Sequence, residues 1–207
     1  MFLSFDGVDG AGKSTQIRLL AEWLAARSLE VVVCRDPGGT PLGEKLRSIL
    51  LDDHETPIHR RSEMLLFMAS RAQLVEEVIR PALEAGKVVI SDRFLLATAV
   101  YQAHAGGLVA DDVWTVGKVA VGGMMPARVL LLDMPAAEAS KRIARAHDRM
   151  ESQGLAYLER VRQGFLLEAE RDPQTIRAID AARDPQAVHA DVVAAVEPLL
   201  LAREPLR

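Results

Sequence analysis

Hydrophobic and polar positions alternate along this chain between two periods. Short apolar runs occur at Met1–Phe5, Val31–Cys34, Val88–Ile90, Val129–Leu132 and Thr175–Ile179. They are too short for typical helices and several are rich in Val and Ile, so they are predicted strands. Between them the apolar period lengthens. Gln16–Ser28 places Ile17, Leu20 and Leu24 near helical spacing, and Leu29 follows. Ser62–Ala85 repeats Leu65, Leu66, Ala69, Ala72, Val75, Val78, Ile79 and Leu83 on a similar period. Asp111–Val121, Ala136–Ala146, Leu155–Ala169 and Pro185–Leu201 are the later predicted helices. Pro185 suits a first helical turn, where its missing N–H would be unpaired anyway. Strands alternating with helices from the first residue imply an α/β fold, a five-stranded parallel sheet sandwiched by helices. Ligands in such a fold collect at the carboxyl ends of the strands. No repeat, low-complexity segment or Pro/Gly/Ser linker interrupts the pattern, so residues 1–207 read as a single domain.

Composition narrows the function classes. The 207 residues are 49% hydrophobic and 26% charged, enough to bury a sizeable core without staples. A formal net charge of −4 argues against a non-specific nucleic-acid coat. No apolar run approaches the roughly 20 residues that span a bilayer, since Asp191 and Glu197 break the Ala- and Leu-rich tail. Met1–Phe5 lacks a basic n-region and a cleavage site, so a cytoplasmic protein without a membrane partner is expected. Cys34 is the sole cysteine, which excludes an intramolecular disulfide and reads as a small buried strand residue. The histidines at 54, 59, 104, 147 and 189 form no metal-ligand pair at helical spacing. No Gly-x-Ser-x-Gly or Cys/His arrangement points to acyl transfer.

The most specific signal is Gly7-Val8-Asp9-Gly10-Ala11-Gly12-Lys13-Ser14, a complete G-x-x-x-x-G-K-[ST] phosphate loop between a predicted strand and an amphipathic helix. Its glycines let backbone N–H groups wrap a phosphate, and the helix N-terminus adds partial positive charge. Lys13 is expected to reach the β and γ phosphates, and Ser14 to ligate Mg²⁺. The motif establishes nucleoside triphosphate binding but not the reaction. Asp9 would repel phosphates unless Mg²⁺ or an arginine intervenes. It reads either as a water-mediated partner of Mg²⁺, as a contact to an acceptor hydroxyl, or as a solvated loop carboxylate.

Other polar motifs follow strand ends. Arg35-Asp36-Pro37-Gly38-Gly39-Thr40 marks a tight loop, either a second anion site or a plain turn. In Ser91-Asp92-Arg93, Asp92 stands where an acidic residue can hold a water on Mg²⁺, and Arg93 can grip a second phosphate; a strand-end salt bridge is the alternative. Phe67 and Arg71 share one helical face, fit for stacking on a base and bonding its edge or phosphate, or else for a core Phe beside a surface Arg. Lys141, Arg142, Arg145, Arg149, Arg160 and Arg162 could close as a lid over developing charge or form a solvated helix face. The break at His147–Ser152 could be the tip of such a lid, placed at about 142–154.

These pieces resemble, along nearly the whole chain, the bacterial thymidylate kinases among the P-loop nucleoside monophosphate kinases. The resemblance is carried by Phe5–Thr15, Asp36–Thr40, Glu44–Leu51, Phe67–Val75, Ser91–Phe94, Tyr101-Gln102, Asp148–Glu151 and Ile179–Ala181, in that order. It implies γ-phosphoryl transfer from ATP to dTMP, giving dTDP and ADP on the way to dTTP. It implies ATP on Gly7, Val8, Asp9, Gly10, Ala11, Gly12, Lys13, Ser14 and Thr15, with Arg142, Arg145, Asp180 and Ala181 toward the adenine and lid. It implies dTMP on Asp9, Pro37, Phe67, Arg71, Arg93, Thr98, Tyr101 and Gln102. There Phe67 would stack on thymine, Arg71 bond its edge, and Tyr101 crowd the sugar 2′ position. Lys13, Arg93, Asp92, Asp9 and Arg149 would be catalytic, Ser14 and Asp92 would hold Mg²⁺, and the enzyme would be a homodimer. The chain departs from the family pattern at Leu95–Thr98, where polar residues are usual, at Ala103 in place of glycine, and at Asp6 and Asp36, where glutamate is commoner. Its lid is also short. Two other readings are kept: a P-loop kinase with a different acceptor, and a nucleotide-binding switch without transfer activity.

Overall fold

The computed structural model describes residues 1–52, 57–143 and 154–201. All five predicted strands are present: β1 Phe2–Asp6, β2 Val31–Arg35, β3 Val88–Asp92, β4 Arg128–Asp133 and β5 Ile176–Asp180. They form one parallel sheet in the order β2-β3-β1-β4-β5. The phosphate-loop strand is therefore central, paired on both edges. Its period-2 alternation separates two cores. Leu3 and Phe5 face one side, with α1 (Lys13–Ala25), α8 (Leu155–Arg171) and α9 (Pro185–Leu201). Phe2 faces the other, with α3 (Arg60–Leu74) and α6 (Ala110–Ala120). Burial on both faces explains why the inner strands read as nearly continuous apolar runs.

The predicted helix over 62–85 is one continuous rod with a change of pitch. It runs as α3, passes through a π-helical turn at Val75–Ile79, and ends as α4 (Arg80–Glu84). Two helical segments were not predicted. One is α2 (Pro41–Leu51), capped by Thr40, whose Oγ1 accepts from the Gly43 N–H at 2.9 Å. The other is α5 (Leu95–Thr98), which continues as a π-helix over Ala99–His104. Every residue from Leu95 to Ala103 is buried. That segment therefore has no polar face to give it a visible period. The helix α7 spans Ala136–Lys141, and the predicted extension to 146 lies outside the described residues. No described helix is long and apolar enough to cross a membrane.

Candidate active site

The loop after β1 is shaped by glycines that have no substitute. Gly7 has φ +135° and Gly10 φ +84°; a Cβ on either would lie 2.4 Å from the Leu132 carbonyl oxygen or 2.1 Å from that of Ala139. The chain thus presses against β4 and α7 and directs its polar atoms into the space above. No side chain caps α1, which starts at Lys13. Its first N–H groups are left for an anion. Lys13 is buried and folds back on its own loop, donating to the carbonyls of Gly7 and Val8, both at 3.1 Å, and to Asp9 at 3.3 Å.

Asp9 is where the loop meets β3. Its Oδ1 accepts from Lys13 and from Arg93 Nη2 at 2.8 Å. Burial alone would raise its pKa, but Arg93 and Lys13 hold the carboxylate well below its usual range. An arginine is thus the group that lets a carboxylate sit in a phosphate loop. Burial lowers the Lys13 pKa, reinforced by Arg93 and opposed by Asp9. Burial also works against the charge on Arg93, yet Asp9 and its other neighbours keep that pKa well above the ordinary value. Arg93 has φ +65°, a left-handed backbone conformation for a non-glycine residue. Its Nη2 also donates to the Tyr101 hydroxyl at 3.3 Å, and its guanidinium lies 5.2 Å from that ring's centre.

Beyond Arg93, buried side chains build a second compartment. Arg71 is 1% exposed. It donates from Nε to Asp36 at 2.5 Å, from Nη1 to Met68 Sδ at 3.0 Å, and from Nη2 to Thr98 Oγ1 at 2.8 Å and the Phe94 carbonyl at 3.3 Å. Burial raises the Asp36 pKa, opposed by Arg71. Gln102 donates to Glu63 at 2.8 Å. Ser70 Oγ accepts from the Gly38 N–H at 3.1 Å, and Glu44 from the Gly39 N–H at 2.7 Å, which fixes the 36–40 loop from two helices.

Two hollows result. A cleft of about 570 Å³ is lined by Asp9, Gly10, Gly12, Lys13, Ser14, Thr15, Asp92 and Arg142, among others. A pocket of about 90 Å³ is lined by Phe67, Arg71, Ala97, Thr98, Tyr101 and Gln102, among others. Asp9, Asp36, Arg47 and Arg93 line both, so the hollows meet at two arginines.

Most of the sequence-derived site residues converge here, but not all. Asp180 sits at the end of β5 and lines a separate groove of about 420 Å³. Ala181 is buried, its N–H donating to the Asp133 carbonyl at 2.8 Å. Pro37 contributes a carbonyl that accepts from Arg47 Nη1 at 2.9 Å. From the arginine cluster, Arg162 is bound bidentately by Asp133 at 2.7 and 2.9 Å, and Arg160 bonds its own helix; both are structural. Arg145 and Arg149 lie outside the described residues. Arg47, absent from the sequence-derived set, lies on α2; Thr40-Pro41, a cap followed by proline, was the available signal for that helix. Asp6 was also missed as a site neighbour. It is fully buried, neither carboxylate oxygen has a hydrogen-bond partner among the described residues, and burial raises its pKa to about 8 against the pull of Arg93 and Lys13.

Residues 5–192 match a family model described as thymidylate kinase. A thymidylate kinase of Kosmotoga olearia is 46% identical over 195 residues, 93% of each chain. One from Symbiobacterium thermophilum is 43% identical, covering 97% of this chain and 94% of its own. A crystal structure of thymidylate kinase from Ehrlichia chaffeensis superposes with a TM-score of 0.76 at 30% identity, covering 95% of this chain and 98% of that one.

Proposed function

The chain belongs to the thymidylate kinase family, and from that premise we propose that it transfers the γ-phosphoryl group of ATP to dTMP, giving ADP and dTDP. The observation that carries this reading is the junction of the two hollows at Arg47 and Arg93. A donor triphosphate in the larger cleft and an acceptor monophosphate rooted in the smaller pocket would bring their phosphates together there.

The acceptor phosphate is anionic near neutral pH, so its oxygen attacks the γ-phosphorus without a strong base. The bond from that phosphorus to the β–γ bridging oxygen breaks, and ADP leaves with the electron pair. Catalysis then rests on alignment and charge neutralisation. The loop N–H groups and Lys13 hold the donor. Arg93 and Arg47 hold the acceptor, and Asp9 keeps Lys13 and Arg93 apart but adjacent. Arg71 has one N–H left on Nη1 for a base carbonyl, and Phe67 supplies the stacking face. Ser14 and Asp92 both line the cleft, and their hard oxygen donors suit Mg²⁺, which typically binds through one or two carboxylates plus phosphates. When bound it would neutralise phosphate charge. Arg142 lines the cleft, and residues 142–154, with Arg145 and Arg149, are proposed from sequence to complete a lid on a single kinase domain.

A cytoplasmic homodimer fits this reading. Exposed Leu42 and Ile49 of α2, Leu65 of α3 and Val119 of α6 give a layer of helices apolar surface for a second copy. The test is ADP release from ATP and Mg²⁺ with dTMP, dUMP, UMP, CMP, AMP and GMP as separate acceptors. Fast turnover on dTMP, slower on dUMP and negligible on the ribonucleotides is expected. Preference for another acceptor overturns the pocket assignment, and no transfer to any overturns the kinase reading.

A further inference from the structure

Helix α8 takes no part in either hollow, yet it backs the π-helical segment that carries Tyr101 and Gln102. Several of its residues touch that segment. The Tyr157 hydroxyl donates to the Tyr101 carbonyl at 3.3 Å. Gly164 admits the closest approach: a Cβ there would lie 2.8 Å from His104 Cβ and 3.0 Å from Val100 Cγ1. Glu168 Oε1 lies 2.6 Å from His104 Nε2 and also accepts from Arg171 Nη1 at 2.9 Å. Residues 157, 161, 164 and 168 recur at four-three-four spacing, one face of an α-helix. Tyr157, Val161, Gly164 and Glu168 are all buried. Phe165 adds an edge-on contact to the Tyr101 ring, with centroids 6.1 Å apart.

A buried carboxylate on this face is informative. Glu168 is 6% exposed, and its carboxylate is held by His104 and Arg171. It anchors the last residue of a π-helix, a rare geometry found mostly as single turns within α-helices and often at functional sites. Without an external anchor the segment can tighten to α pitch, which would rotate Tyr101 and Gln102 relative to Thr98.

We propose that Tyr157 and Glu168 of α8 are positioning residues for acceptor choice: they hold the π-helical segment so that the Tyr101 ring stands where a ribose 2′-hydroxyl would go. This rests on the reading of Tyr101 as the residue beside the sugar. The pair acts from behind the pocket, touching no substrate. Its loss relaxes sugar discrimination more than it slows the preferred reaction.

The measurement is the ratio of kcat/KM for dTMP to that for its ribonucleotide counterpart, 5-methyluridine 5′-monophosphate, in the full chain. Tyr157→Phe and Glu168→Gln are the test variants. A simple loss of folded enzyme lowers both rates equally and leaves the ratio intact, so the ratio reports positioning alone. A drop of at least threefold in each variant is expected, larger in Glu168→Ala than in the shape-preserving Glu168→Gln. Tyr101→Ala is measured beside them. If it collapses the ratio while both α8 variants stay within twofold of the parent, the inference is overturned. If Tyr101→Ala itself leaves the ratio unchanged, the reading of Tyr101 fails and the inference with it. Should Glu168→Ala not fold, Tyr157→Phe, which removes one oxygen, carries the decision.

Discussion

The two hollows of this molecule are built from different materials. The proposed donor cleft is built around backbone: a glycine loop, the uncapped start of α1, and one lysine folded onto its own carbonyls, with Asp92, Arg93 and Arg142 among its walls. The acceptor pocket is made of side chains delivered by α2, α3, α5 and the π-helical segment, locked to one another by Arg71–Asp36, Gln102–Glu63 and Arg71–Thr98. In the proposed reading, backbone from one contiguous loop would recognise what all triphosphates share. Side chains would recognise one base and one sugar, through many contacts between residues distant in sequence. The first site tolerates variation in the fold around it; the second is only as good as the packing of four helical segments.

Substitutions can break that contrast. Lys13→Ala removes the main cation of the donor cleft, with an expected loss in kcat of about 1000-fold or more, roughly 4 kcal/mol, and little loss of thermal stability. Steady-state kinetics beside a melting curve checks both parts. Asp36→Ala attacks the other compartment. It leaves the fully buried Arg71 without its ion-pair partner, and an expected destabilisation of about 3–5 kcal/mol should appear in urea titration. Equal destabilisation by both substitutions would erase the distinction between the two sites.

Asp6→Asn probes the seam between them. The unfolded aspartate releases its proton near its ordinary value of 3.8, whereas the folded one keeps it to about 8. Between those values the native state binds more protons than the unfolded one, so its stability falls as pH rises and levels off above 8. The asparagine variant lacks that slope. It should gain on the parent by up to a few kcal/mol between pH 5 and 8.5. Parallel stability–pH curves would refute the assignment. The smallest effect belongs to the cap of α2. Thr40→Ala should lower stability by about 1 kcal/mol and raise the KM for dTMP modestly, since Arg47 rides on that helix. A KM change confined to ATP would place Arg47 with the donor instead.

The same contrast governs what could be read from sequence. The five strands and the phosphate loop were legible because strand period, glycine positions and motif order are local properties. The start of α9 at Pro185 is legible because proline suits a first helical turn. The segment 95–104 was opaque: buried on all sides, it shows no amphipathic period, and nothing local signals a change from α to π pitch. Arg71 and Asp36 were both flagged, yet their pairing across 35 positions has no local trace. The sequence leaves Arg160 and Arg162 open between a lid and a helix face, and only their partners, Asp133 and a carbonyl of the helix itself, decide for the latter. The charge of a side chain is visible in sequence; its creditor is not.

The central position of β1 bears on how the chain folds. Phe2 lies opposite Val89, and Leu3 opposite Arg128, so the middle strand of the sheet has both of its partners far along the chain. One edge of this strand stays unpaired until β3 is in place, and the other until β4 is. Pairing so distant in sequence is slow to close. A bare apolar strand with two open edges is also the kind of segment that recruits neighbours. The strand that hosts the phosphate loop thus depends on long-range pairing at both edges, and a chain folded as far as β3 but not β4 holds it half-paired.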